Sequence, residues 1–237
     1  MRHSNFILFY WEEEQKVFNK NLEILSKGLD KNAVHDIRVA IKKMRACLKL
    51  YGIITKKKDW QDLFTETKNL FAVLGKERDV EMCLELLQDD EKENKTDYAN
   101  IKIYLQSILQ TMQTWSQKAL KTYHKTGLTD LTSLLSEGAD TVTKKWLIEK
   151  TIDAINDHLH QIKDYYKQPH KIRKLLKDVY YWLKMLPKNA IANNSLEKKL
   201  EKILDGFGNW QNDEMLLTKT KHYRKDNLPD SFEEFDV

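Results

Sequence analysis

Histidine followed by arginine three residues on, and by lysines seven and fourteen residues on, occurs twice: in HDIRVAIKKMRACLKL, from His35, and in HKIRKLLKDVYYWLKM, from His170. On an α-helix at about 100° per residue, His35, Arg38, Lys42, Arg45 and Lys49 point within about 80° of one another. Ile37, Ile41, Met44, Leu48 and Tyr51 form an apolar stripe beside them, and His170, Arg173, Lys177 and Lys184 repeat the arrangement. Like charges at such spacings repel by a few tenths of a kcal/mol per pair, and no acid sits among them. Two such rows, each extending over about 21 Å of helix axis, suit a linear polyanion bearing many phosphates. Arginine grips phosphate oxygens with a planar fork, lysine acts as a point charge, and histidine adds a titratable donor.

The elements that must carry these rows are helical. Seven glycines and three prolines in 237 residues leave too few turn formers for an all-β chain. Apolar spacing of three and four residues predicts helices over Phe6–Lys27, Val34–Ile54, Asp59–Leu74, Asp79–Gln88 and Asp97–Tyr123, then Leu128–Leu135, Thr141–Tyr166, Pro169–Leu186, Ser195–Leu204 and Asn212–Tyr223. Gly28 is placed to cap the first helix, and Pro169 suits a helix's first turn, where its missing N–H costs nothing. Trp60, Trp146, Trp182 and Trp210 are assigned to the core. Residues 226–237, with Pro229 and five acids, read as a loose acidic tail.

Net charge is only +4, but it is unevenly placed. Lys31 to Lys58 holds nine Lys or Arg against Asp36, and Lys163 to Lys188 holds eight against Asp164 and Asp178. Lys76 to Asp97 holds nine acids against four bases, so positive charge collects on the two quoted segments. Cys47 and Cys83 are too few for a disulfide framework and show no zinc spacing, which fits a reducing compartment. The apolar run Phe6–Trp11 meets Glu12, Glu13 and Glu14 at once, too short for a signal peptide or membrane span. The expectation is a cytoplasmic protein with no metal, since the neighbours of each histidine are cations, and with no cofactor.

A second landmark follows each basic row. LGKERDVEMCLELL (Leu74–Leu87) aligns with FGNWQNDEMLL (Phe207–Leu217), its glycine 40 residues after the histidine in the first copy and 38 in the second. The chain therefore reads as two related helical halves, about 1–125 and 138–225. The glycine suits close helix approach. Asp79 reads either as a partner for a basic side chain of a neighbouring helix or as a carboxylate favoured by a helix N-terminus.

These motifs resemble those of the CHAD family, the conserved-histidine α-helical domains, over nearly the whole chain. The resemblance implies a compact all-α domain of two pseudo-symmetric four-helix units, spanning about 1–225, with basic side chains facing a central pore or groove. It also implies non-catalytic binding of inorganic polyphosphate, with a place beside polyphosphate granules. Carried over by position, the ligand-binding residues are His35, Arg38, Lys42, Arg45 and Lys49, then His170, Arg173, Lys177 and Lys184. Lys43 also matches a basic position but turns away from the stripe. Tyr180 stands where Arg45 has its counterpart, Asp178 opposite Lys43, and Asn212 in place of the second aspartate, so the second half is expected to contribute less charge. Lys121, Lys219, Lys221, Arg224 and Lys225 are further basic candidates, unranked.

Two other functions compete. A nucleic-acid binder would interleave aromatics with its cations for stacking, and the stripes hold only Tyr180 of that kind, so nucleic acid ranks below polyphosphate. An enzyme of phosphoanhydride chemistry would need metal-holding carboxylates or a phosphate-cradling glycine loop, and neither motif is present. A purely structural helical protein is the remaining alternative.

Overall fold

Apolar residues at helical spacing, bounded by side chains that cap, build an all-α protein. The computed structural model of the chain describes residues 5–137, 143–165, 167–188, 190 and 194–227, and contains no strand among them. In chain order the helices are α1 (Phe6–Lys27), α2 (Lys31–Thr55), the single turn α3 (Trp60–Leu63), α4 (Thr65–Asn94), α5 (Ala99–Thr122), α6 (Thr126–Ser136), α7 (Lys144–Gln161), α8 (Pro169–Met185) and α9 (Asn194–Asn227). A 3-10 turn, Ile162–Tyr165, follows α7. Asn5 caps α1 by accepting from the Leu8 N–H at 3.0 Å, and Asp30 caps α2 by accepting from the Ala33 N–H at 2.7 Å. Pro169 opens α8 as expected. Gly28 stands at the C-cap of α1 in extended backbone, whereas the left-handed caps are Lys56 after α2 and Lys95 after α4.

Two expected breaks are absent. α4 runs without interruption through Gly75, and α9 runs through Gly206 and Gly208. A lone helical glycine costs only about 1 kcal/mol against alanine, less than either long helix recovers by packing. α9 also incorporates Asp226, which accepts a hydrogen bond from the Tyr104 hydroxyl at 2.9 Å, while the expected acidic tail from residue 228 onward lies outside the described residues.

The length of α4 and α9 matters because each spans two separate cores. The larger core joins α1, α2, α6, α7 and α8 with Leu70 and Leu74 of α4 and Leu200 and Leu204 of α9. The smaller gathers Val80, Cys83 and Leu87 of α4 with Ile101 and Leu105 of α5, and Met215 and Leu216 of α9 pack against it. Between the cores lie Gly75 and Asp79 on α4, and Gly208 and Asn212 on α9. Around this junction, α2 packs on α4 and α8, and α9 packs on α4 and α8, so the four helices form a closed circuit of contacts.

Of the four tryptophans expected in the core, Trp182 is fully buried and donates its indole N–H to the Ala46 carbonyl at 2.9 Å, tying α8 to α2. Trp60 and Trp210 are half-buried, and Trp146 is exposed. Helical periodicity assigns a face but does not say whether another element covers it.

Candidate functional site

The two basic rows fall on α2 and α8, which pack against each other. Their middle residues converge. Burial, and then the charges of Lys177, Arg38, Arg173 and Arg45, push the Lys42 ammonium down to about 7. Burial, followed by Arg173, Arg38 and Arg45, lowers Lys177 to about 8. Mutual repulsion across the helix pair therefore groups five cations: Arg38, Lys42 and Arg45 from α2, with Arg173 and Lys177 from α8. None of the five is in an ion pair with a described residue, whereas Lys31, Lys43, Lys49, Arg78 and Lys184 each hold a carboxylate.

Phe71 of α4 underlies the three cations of α2. The Arg38 guanidinium lies 4.5 Å from its ring centroid, with Arg45 at 5.8 Å and Lys42 at 5.9 Å. Arg38 also donates from Nη1 to the Phe71 carbonyl at 2.9 Å, and its fork rests on the bare backbone of Gly75, one turn further along α4. The glycine thus admits an arginine side chain rather than a neighbouring helix backbone. Asp79, another turn on, faces Arg38, Lys219 and Lys42 without bonding any of them; burial raises its carboxyl more than these cations lower it. Asp79 lies in the middle of α4, so it is not a helix N-terminal carboxylate, and it stands near basic side chains of α2 and α9 without an ion pair to them.

The second copy is open where the first is filled. Arg173 does not cover Gly208, and a Cβ there would meet nothing within 4 Å. The unfilled space is a cavity of about 390 Å³ between α8 and α9, with Arg173 and Lys177 on one wall and Leu204, Gly208 and Asn212 on the other. Leu204 and Asn212 stand four residues before and after Gly208, as Phe71 and Asp79 do about Gly75. Glu201 and Asp205 also line this space, and Glu201 accepts from the Tyr180 hydroxyl at 2.8 Å. The Nε atoms of Arg45 and Arg173 are buried without a hydrogen-bond partner, one on each side of the helix pair.

The ends of the rows are elsewhere engaged. Lys49 is paired with Asp178 of α8 at 2.5 Å. Lys184 is 3.4 Å from Glu197 and 4.7 Å from the Tyr180 ring centroid, and the Tyr180 hydroxyl, followed by Glu197, raises its ammonium. His35 is exposed at the edge of the cluster; partial desolvation and the Arg78 charge hold it below the usual histidine range, against Asp36. His170 is exposed and packs its ring 4.8 Å from that of Trp210. Lys43 is turned away, as expected, and bonds Glu14 of α1 at 2.8 Å. Phe71 was not legible as a site residue, although it stands one helical turn before Gly75 on the same face; that spacing is the signal that could have found it.

The architecture is that of an all-α protein built round cations from two helices that no carboxylate among the described residues holds in an ion pair. The profile of the CHAD domain family matches residues 10–221. The chain belongs to the CHAD domain family. Its fold is similar to the crystal structure of the CHAD domain from the plant Ricinus communis, with a TM-score of 0.74 and 15% identity, covering 94% of this chain and 80% of that one. A search of curated proteins returned no match. No helix among the described residues is long and apolar enough to cross a membrane.

Proposed function

We propose that the chain binds inorganic polyphosphate without altering it, and that Arg38, Lys42, Arg45, Arg173 and Lys177 are its principal ligands. The observation that carries this reading is the convergence of five unpaired cations from two helices in one partly desolvated place. Such an arrangement is costly in the free protein and is relieved by an anion. A chain of phosphates, each carrying charge at short intervals, offers more relief than one small anion, and it releases its condensed counterions on binding. The cavity beside Arg173 and Lys177 supplies an approach. Lys49 and Lys184, held by carboxylates, contribute less than their register implies. His35 and His170 serve as edge donors.

The test is a polyphosphate titration of the wild type beside Arg38→Ala/Arg173→Ala, with folding followed by circular dichroism. The double variant is expected to bind at least about tenfold more weakly, since each charge-assisted contact contributes about 1.5–3 kcal/mol. Affinity is expected to fall steeply with salt. A folded double variant that binds within twofold of wild type overturns the proposal. Competition with RNA of equal charge separates the nucleic-acid reading, and phosphate release in the presence of Mg²⁺ would favour the enzymatic one.

A further inference from the structure

A second basic cavity, of about 460 Å³, lies where the C-terminal end of α2 and α3 meet the end of α7 and the first half of α8. None of the five clustered cations lines it. Besides Lys49 of α2, its lysines come from two places: Lys57 and Lys58 follow the left-handed cap of α2, while Lys171 and Lys174 are one turn apart on α8. Among the described residues, none of these four is in an ion pair. The carboxylate in the cavity wall, Asp178, is already bonded to Lys49.

Its walls are not those a bare phosphate chain would need. Trp60 and Tyr165 present aromatic rings, and Ile53 and Leu175 add aliphatic surface. Trp60 is set in place by Gly52: a Cβ there would come within 2.7 Å of the indole Nε1, so the bare helix backbone makes room for the ring. The Trp60 indole N–H donates to no described protein group, and the amides of Gln61 and Gln161 stand in the same walls. Lys171 lies 4.7 Å from the Tyr165 ring centroid, which places a cation at the boundary between aromatic and charged surface.

We propose that this cavity is a mononucleotide site, with the phosphates of a nucleoside di- or triphosphate on Lys57, Lys58, Lys171 and Lys174 and the base against Trp60 and Tyr165. The four unpaired charges match the three to four negative charges of such a ligand, and the volume lies within the range of about 300–1,000 Å³ typical of small-molecule sites. The amides offer a donor and an acceptor each to a base edge. The site is distinct from the polyphosphate cluster and stands or falls separately from it.

The test uses the full chain carrying Arg38→Ala/Arg173→Ala, so that the central cluster does not compete. ADP is titrated calorimetrically, with pyrophosphate as the same phosphate group lacking the nucleoside. ADP is expected to bind at least tenfold more tightly than pyrophosphate, and adding Lys57→Glu/Lys174→Glu is expected to weaken ADP at least tenfold with an unchanged circular dichroism spectrum. In the chain with no substitution, the Trp60 indole N–H resonance is expected to shift with ADP and not with pyrophosphate, a readout independent of how the variants fold. No ADP binding, equal binding of ADP and pyrophosphate, or an ADP affinity untouched by Lys57→Glu/Lys174→Glu overturns the proposal.

Discussion

Gly75 and Gly208 occupy equivalent places in the paired motifs and meet opposite surroundings. Alanine at 208 points into open space within a long helix, so Gly208→Ala is expected to stabilise the protein by about 0.5–1 kcal/mol. Alanine at 75 drives its methyl into the Arg38 guanidinium. That group is the far end of a flexible side chain, so α4 survives, but Arg38 must leave the Phe71 carbonyl and gives up a charge-assisted hydrogen bond of about 1.5–3 kcal/mol. Gly75→Ala is therefore expected to destabilise by about 1 kcal/mol after the helix-propensity gain, and to weaken polyphosphate binding. Thermal melts of the two variants side by side check this; equal shifts in Tm would refute the role given to the Arg38 contact.

Among the helices, α2 is held in register by charge as well as by its apolar stripe. Lys43 reaches Glu14 of α1, whose side chain is 9% exposed and keeps its second oxygen buried without a partner. Lys43→Met leaves that carboxylate buried and unpaired, an expected cost of about 3 kcal/mol. Adding Glu14→Gln should recover part of it, and denaturant unfolding of the single and double variants measures both. Existence and type of these helices were legible, because periodicity over twenty residues is a strong signal. The continuity of α4 through Gly75 and of α9 through Gly208, where breaks were inferred, was not, because local propensity is weaker than the packing of one helix into two cores.

At the scale of the molecule, convergence of α2 and α8 changes the acid–base chemistry of residues that are ordinary lysines in isolation. Lys42 at about 7 and Lys177 at about 8 stand well below the ordinary value of 10.5. Below about pH 7 both are charged in the folded state, and the full repulsive and desolvation cost is present. As pH rises through their folded values the cost is relieved, so their contribution makes the free protein more stable between about pH 7 and 10.5. A bound phosphate chain reverses the shift. Proton uptake on polyphosphate binding is expected to set in above about pH 7 and to peak at about pH 9, between the lowered values and the ordinary 10.5, with affinity falling as pH rises across that window. Calorimetry in buffers of different ionisation enthalpy measures the uptake, and Lys42→Met/Lys177→Met should flatten it. An unchanged profile in that variant would refute the assignment of the protons to these two lysines.

The amino-acid sequence by itself determined an all-α chain, the two basic rows and the family whose motifs they resemble, because helix type, face and register are local properties of spacing. Which cations remain without a partner was decided only by tertiary structure. Arg38, Lys42 and Lys177 share a register with Lys49 and Lys184, yet Asp178 and Glu197 take the latter two, since ion pairing depends on which helix lies opposite. The same holds for Phe71 beneath Arg38 and for the open space at Gly208: both depend on the angle at which helices distant in the chain meet, and no spacing within one helix encodes that angle.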